Sequence, residues 1–469
     1  MHTETTENDY FGTERIGKIL LKVAPPVMLA MLIQALYNIV DSFFVGKYSE
    51  DALTALTVIY PLQLIIIALA VGTGVGVNTY MARKYAQGKA EEAEKAAGTG
   101  MVLEFATWIV LAIVSVLIMR PYVMMSATSE RVITDAIIYG NIVSIGSLGA
   151  FLEGNWTKVH QSYGNMKLPM VAQIAGAVTN IVLDPVLIFG IGPFPQLGVA
   201  GAAYATVCGQ ALAAVITGVR GFRKPPKFRE ILYYAKRIYF YGYSSIVMQG
   251  LYTVYIFALN VILAKFSDSA VTVLGLYYKL QSFFFIPLFG LQTCIVPILS
   301  FNYARGAYER CRKVMRSAFL ISLGFMVLGI IGFIGFPEML IRIFSESPEV
   351  IEIGKHAFPI IGASFAPAVF SLTMPVFFQA IGEGGISLFL SLQRQIVCLV
   401  PIFWLFSFLG LNYTWCSFPV SEVISSGIGL ILYARTIRKW KAAETNGGTA
   451  EYKRQRIDNK KSKNRKREM

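Results

Sequence analysis

The chain has 469 residues, of which 55% are hydrophobic and only 15% charged, against about 25% charged in an ordinary soluble domain. This balance excludes a soluble globular enzyme and predicts an all-α integral membrane protein. The net charge of +14 would suit a nucleic-acid partner, but Lys and Arg concentrate in loops after even-numbered apolar runs and in the tail, the pattern that sets orientation in a membrane; no nucleic-acid partner is expected.

The polar start, residues 1–16, lacks the order of a cleaved signal peptide, so the first apolar run is a retained span. Runs long enough to cross a bilayer fall near 17–45, 52–82, 97–119, 133–158, 168–190, 198–219, 239–264, 271–301, 314–335, 350–379, 387–409 and 412–434. About twelve spans place both termini on one side, and the basic loops make that side cytoplasmic. A multi-pass plasma-membrane protein is expected. Between halves lies a basic linker, 220–238, containing Pro225-Pro226 and an amphipathic interfacial stretch. Residues 441–469 read as a basic disordered tail touching anionic lipid headgroups.

The chain also repeats itself. The segment from Gly46 lies on the segment from Ala264, an offset of 218 positions, without a gap. Lys47 meets Lys265, Thr54 meets Thr272 and Gln63 meets Gln281. The same register carries Tyr85 onto Tyr303, and Gln161 and Gly164 onto Gln379 and Gly382. Two pseudo-symmetric six-helix lobes follow, residues 17–219 and 239–440. Six is even, so the lobes share one orientation and enclose a cavity between them, an arrangement found in transporters.

Charges inside the apolar runs are expensive and point to function. In the first span Gln34, Asn38 and Asp41 share one helical face and Tyr37 stands one turn from Asp41. In the fifth, Asn180 and Asp184 are one turn apart, and Pro185 loosens the helix beside the acid. Both acids lie past the midplane from the cytoplasmic side, so they can face one cavity as a coupled pair. Their counterparts 218 positions on are Leu259 and Ile402, which places proton or cation chemistry in the first half. Lys279, in the eighth span, either snorkels to the surface or faces the cavity with Gln281 nearby. Glu153 reads as an interfacial acid partnered by Lys158, Glu104 as interfacial at the start of the third span, and Glu422 as a candidate polar site in the second half. Gly72, Gly74 and Gly76 read as close helix packing rather than a phosphate loop. The five cysteines and three histidines are scattered without metal-ligand spacing, so no resident metal or cofactor is expected.

These residues resemble the multidrug and toxic compound extrusion (MATE) transporters over about residues 15–440. The resemblance rests on Asn38 to Asp41 with Gly46, on the long block GAVTNIVLDPVLIFGIGPFPQLGVAGAAYATV from Gly176, on Pro297 to Tyr303 with Gly306, and on Gln379 to Gly382. It implies a monomeric antiporter that exports organic cations, and so confers drug resistance, in exchange for protons or sodium by alternating access. The chain looks like the branch whose acids sit in the N-terminal lobe. There the matching coupling residues are Asp41, Tyr139, Asn180 and Asp184, with sodium possible at Asp41, Asp184 and Asn180, and a helix hinge at Pro26. Another branch also uses acids in the seventh and tenth spans. Here the seventh has Gln249 and Asn260, and the tenth has no acid between Phe358 and Ile381. In the sixth span Tyr204 and Thr206 are the nearest hydroxyls. Rival readings are a lipid-linked saccharide flippase of the same superfamily, which wants a strongly cationic cavity, and a non-transporting membrane receptor or scaffold.

Overall fold

A computed structural model describes residues 10–126 and 129–445. The first stretch of the N-terminal segment and the tail from 446 on lie outside the described residues. Those described form helices and connecting turns, with no strand among them. Ten helices are long and apolar enough to cross a membrane, and two bent pairs bring the number to twelve. The spans are Ile16–Tyr48, Asp51–Ala86, Ala90–Met125, the pair Glu130–Gly146 and Leu148–Ser162, Lys167–Phe189 and Val199–Gly221 in the first lobe. The second has Phe228–Leu263, Ile286–Ala304, Tyr308–Gly335, the pair Pro348–Gly362 and Phe365–Ala380, Gly384–Ser407 and Leu411–Ala442.

Local differences from expectation have local causes. The eighth run is not one rod: helix Asp268–Phe284 ends and Ile286–Ala304 begins with Pro287 in its first turn, where a missing N–H is harmless. The fourth and tenth spans bend by 41° and 57°. The amphipathic part of the expected linker is the start of the seventh helix at Phe228, after a short loop. Helix continues through Pro25 and Pro26 in the first span.

The backbone repeats in register. Eight glycines adopt positive φ, and six of them form pairs separated by 218 positions: Gly88 with Gly306, Gly164 with Gly382, and Gly192 with Gly410. Each supplies a left-handed turn that an L side chain resists. The second and eighth spans end at Ala86 and Ala304, and the two bent spans end at Ser162 and Ala380, again 218 positions apart.

Core packing shows how the lobes meet. One buried cluster draws on both, joining Ile16, Val23 and Val77 to Ile238, Cys294, Phe377 and Trp440. It lies at the face that carries the first helix's start and the last helix's end. Toward the opposite face each lobe has its own core, around Val45, Ile59 and Tyr139 in one and around Leu259, Tyr277 and Trp415 in the other. The lobes are therefore joined at the face of the termini and separate away from it.

Glycine makes the junction close. A Cβ on Gly72 would stand 2.2 Å from Ile246 Cγ1, on Gly76 2.3 Å from the Ile238 carbonyl, and on Gly242 2.7 Å from the Gly72 carbonyl. The second and seventh spans thus touch backbone to backbone. Arg83 fastens the same face, donating to the Ala380 carbonyl at 3.0 Å and lying over the Tyr241 and Tyr303 rings. Arg305 donates to the Ala86 carbonyl at 2.9 Å. Cys294 is fully buried at the junction, its thiol against the Val23 carbonyl.

A Gly76→Val chain is expected to part the lobes on this face, because backbone cannot yield to the added methyls. Maleimide labelling of Cys294 should rise by about an order of magnitude and the melting temperature should fall; unchanged labelling would mean that the junction does not depend on this contact.

Candidate functional site

The first, second, fourth, fifth and sixth spans surround a cavity of about 620 Å³ inside the first lobe. The helical spacing of the first span turns Gln34, Tyr37, Asn38 and Asp41 toward it, all four lining the wall. Tyr139 enters from the fourth span and Asn180 and Thr206 from the fifth and sixth. Those two helices approach closely because Gly176 and Gly209 oppose each other: a Cβ on Gly209 would stand 2.6 Å from the Gly176 carbonyl.

Asp184 is fully buried behind the wall. The Asn180 amide nitrogen donates to its Oδ2 at 3.3 Å when the amide oxygen accepts from the Thr206 N–H at 3.2 Å, the orientation that satisfies both ends. The Asp41 carboxyl lies within hydrogen-bonding range of Asp184, and its Oδ1 has no hydrogen-bond partner among the described residues. Two carboxylates can hold this contact only with a proton or a cation between them. Tyr139 is buried beside the pair, and its hydroxyl accepts from Gln63 Nε2 at 3.1 Å. The structure thus brings Asp41, Asn180, Asp184, Tyr139 and Asn38 to one place. Thr206 supplies the hydroxyl of the sixth span, while Tyr204 points outward, 46% exposed.

Several sequence expectations are corrected. Lys279 is exposed, and neither it nor Gln281, which is buried in the second lobe, lines the cavity. Glu153 is not interfacial. It lines the cavity and accepts from Thr157 Oγ1 at 2.6 Å; Lys158 donates to Gln161 Oε1 at 2.9 Å and stays within coulombic reach of the carboxylate, as expected. Glu104 is fully buried, neither carboxyl oxygen having a hydrogen bond among the described residues, because its helix begins at Ala90 and carries it well into the lobe.

Glu422 has a partner that the sequence reading missed. Arg394 donates through Nε to both Glu422 oxygens at 3.0 and 3.1 Å and through Nη2 to Oε1 at 2.5 Å, and Ser371 Oγ also bonds the carboxylate. Both charged side chains are buried. A π-helical stretch, Gln393–Leu399, carries the arginine, a local widening common at functional positions. The sequence signal was an arginine between two glutamines within an apolar run.

The chain matches the family model MatE twice, over residues 26–186 and 244–405; the two matches begin 218 positions apart. It is similar to the FAD transporter of Shewanella oneidensis, 24% identical over 90% of this chain and 95% of that protein. It is similar also to the probable multidrug resistance protein NorM of Thermotoga maritima, 28% identical over 74% of this chain and 76% of that protein. A solved multidrug resistance MATE family transporter of the MOP superfamily, in an outward-facing conformation, superposes with a TM-score of 0.85 at 23% identity, covering 92% of this chain and 97% of its own.

Breaking the Arg394–Glu422 pair should matter more than removing it. Glu422→Gln strands a buried guanidinium and is expected to cost about 3–5 kcal/mol, whereas Arg394→Met with Glu422→Leu should fall near the parent. Chemical unfolding in detergent checks this; equal losses would mean that the charge is not buried.

Proposed function

The chain belongs to the MATE transporter family, and from that premise we propose that it exports organic cations in exchange for protons or sodium by alternating access. The observation that carries the reading is the Asp41–Asp184 contact inside a cavity whose lining holds carboxylates and, among the described residues, no Lys or Arg. Such a cavity favours a cation. An anionic cargo such as the flavin dinucleotide named for the Shewanella relative, or a lipid pyrophosphate, would want the opposite sign.

The face of the termini is taken as cytoplasmic, in keeping with its basic loops. The lobes joined there and parted opposite then describe an outward-facing state. With the acid pair free of proton or sodium, its charge draws a cation into the cavity. Arrival of the coupling ion from outside, where its concentration is higher, lowers the charge of the pair from two to one. The cargo loses part of its electrostatic hold and leaves outward. The loaded pair, its mutual repulsion relieved, lets the lobes rock to the inward-facing state, where the ion departs and new cargo binds. Mutual exclusion between ion and cargo couples the two fluxes. Oxygens of Asp41, Asp184 and Thr206 supply donors that suit either a shared proton or a sodium ion, with the Asn180 amide nitrogen turned to Asp184.

Asp41→Asn and Asp184→Asn should each abolish gradient-driven ethidium efflux from proteoliposomes while the protein stays folded. Wild-type efflux in both variants would overturn the acid-pair mechanism. Imposing a pH gradient or a sodium gradient separately identifies the coupling ion.

A further inference from the structure

The second lobe holds a cation already. Arg394 sits on Glu422 beside a tyrosine cluster: Tyr255 and Tyr277 lie within reach of its charge, and Tyr278 packs against both rings at 6.2 and 4.8 Å. Moving back 218 positions maps Tyr255 onto Tyr37, Tyr278 onto Tyr60, Ser371 onto Glu153, and Arg394 onto Gly176. All four first-lobe residues line the cavity. Where the second lobe carries an arginine, the first has Gly176, which lines the cavity but on which a Cβ would face the Gly209 carbonyl at 2.7 Å, so that no side chain enters from there. Where a serine supports the second lobe's carboxylate, the first presents a carboxylate itself. Glu422 itself maps onto Tyr204, which points outward, so the two lobes place carboxylates from different positions beside repeat-related tyrosines, and only the second lobe supplies its own guanidinium.

We propose that Glu153 anchors the charged head of the transported molecule, that this head is planar and guanidinium- or amidinium-like, and that the anchor is distinct from the Asp41–Asp184 pair. The proposal rests on the cavity being the cation site described above. Its geometry follows the internal example. Arg394 presents a fork of N–H donors to both oxygens of one carboxylate, an arrangement open to planar amidinium-type groups and closed to a quaternary ammonium. Glu153 has one oxygen bonded to Thr157, Gln173 within hydrogen-bonding reach and Lys158 within coulombic reach, the lysine donating to Gln161 rather than to the carboxylate, and Tyr37 and Tyr60 stand in the same wall. Tyr37 lies within coulombic reach of Asp41, Asp184 and Glu153 alike, so the acids act on one space. Cargo and coupling ion then occupy neighbouring carboxylates in one dry cavity. The ion expels the cargo through the field that they share, not by taking its place.

The test uses purified full-length protein in nanodiscs and two monocations of like size, phenylguanidinium and phenyltrimethylammonium, followed by calorimetry. Wild type should bind phenylguanidinium about tenfold more tightly. Glu153→Gln should erase that preference and Asp41→Asn should keep it. Equal binding of the two probes by wild type, or an intact preference in Glu153→Gln, overturns the proposal. A second variant tests the internal example: Arg394→Ala uncovers Glu422, so phenylguanidinium should raise its melting temperature and phenyltrimethylammonium should not. Equal effects of both probes would count against the mimicry, and if this variant does not fold, the Glu153 comparison decides alone. Failure of the transporter reading is separately visible as absence of gradient-driven efflux of both phenylguanidinium and ethidium by wild type.

Discussion

A charge inside a bilayer must find an opposite charge, a proton or an ion, because the hydrocarbon supplies no solvation; insertion scales put the penalty at roughly 2.5–3.5 kcal/mol for one residue. The placement of buried charges in this chain follows from that constraint. In the second lobe it is met internally, by Arg394 and Glu422. In the first lobe Asp41 faces another acid, and the nearest help for Asp184 is the neutral amide of Asn180. The pair in the first lobe therefore has no basic side chain bonded to it among the described residues, whereas the acid of the second has one.

The helix packing closes the lobes against each other on one face. Backbone contact at Gly72, Gly76 and Gly242, the reach of Arg83 across to Ala380, and a core shared by both lobes close the face of the termini. The other face has no shared core, only one in each lobe. Each lobe is packed on a core of its own, the construction on which repeats in transporters rock about a fixed site.

Much of this was legible in the sequence, for identifiable reasons. Apolar run length gives the spans, and an ungapped offset through polar loops gives the repeat; the glycine pairs at Gly88 and Gly306 or Gly192 and Gly410 express it in backbone form. Asn180 and Asp184 stand out because helical spacing alone puts them on one face. What was not legible depended on depth and on partners far away in sequence. Glu153 and Glu104 looked interfacial because the helix ends that fix their depth are set by packing. Lys279 lies on an apolar helix whose outward face the sequence does not mark. Arg394 was overlooked because its partner is 28 positions later in another span. The break near Ser147 has no proline to announce it; the serine hydroxyl bonds back to the Ser144 carbonyl at 2.8 Å, a local competition for backbone groups that bends helices.

Duplication explains why the asymmetry takes the form it does. Two equal lobes would carry two equal cavities, and a cation bound in each would repel the other and double the charge moved in each cycle. Arg394 supplies the second lobe with a cation of its own, and Glu422, which has Tyr204 rather than an acid as its first-lobe counterpart, balances it and keeps the polar interior neutral. The cost is a widened, π-helical turn at Gln393–Leu399. The first lobe takes the opposite course: Gly176 and Gly209 draw its fifth and sixth spans together and leave the volume in front of them empty. The asymmetry therefore takes three repeat-related differences, Arg394 against Gly176, Glu422 against Tyr204 and Ser371 against Glu153, which leave a structural ion pair in one lobe and an open acidic cavity in the other.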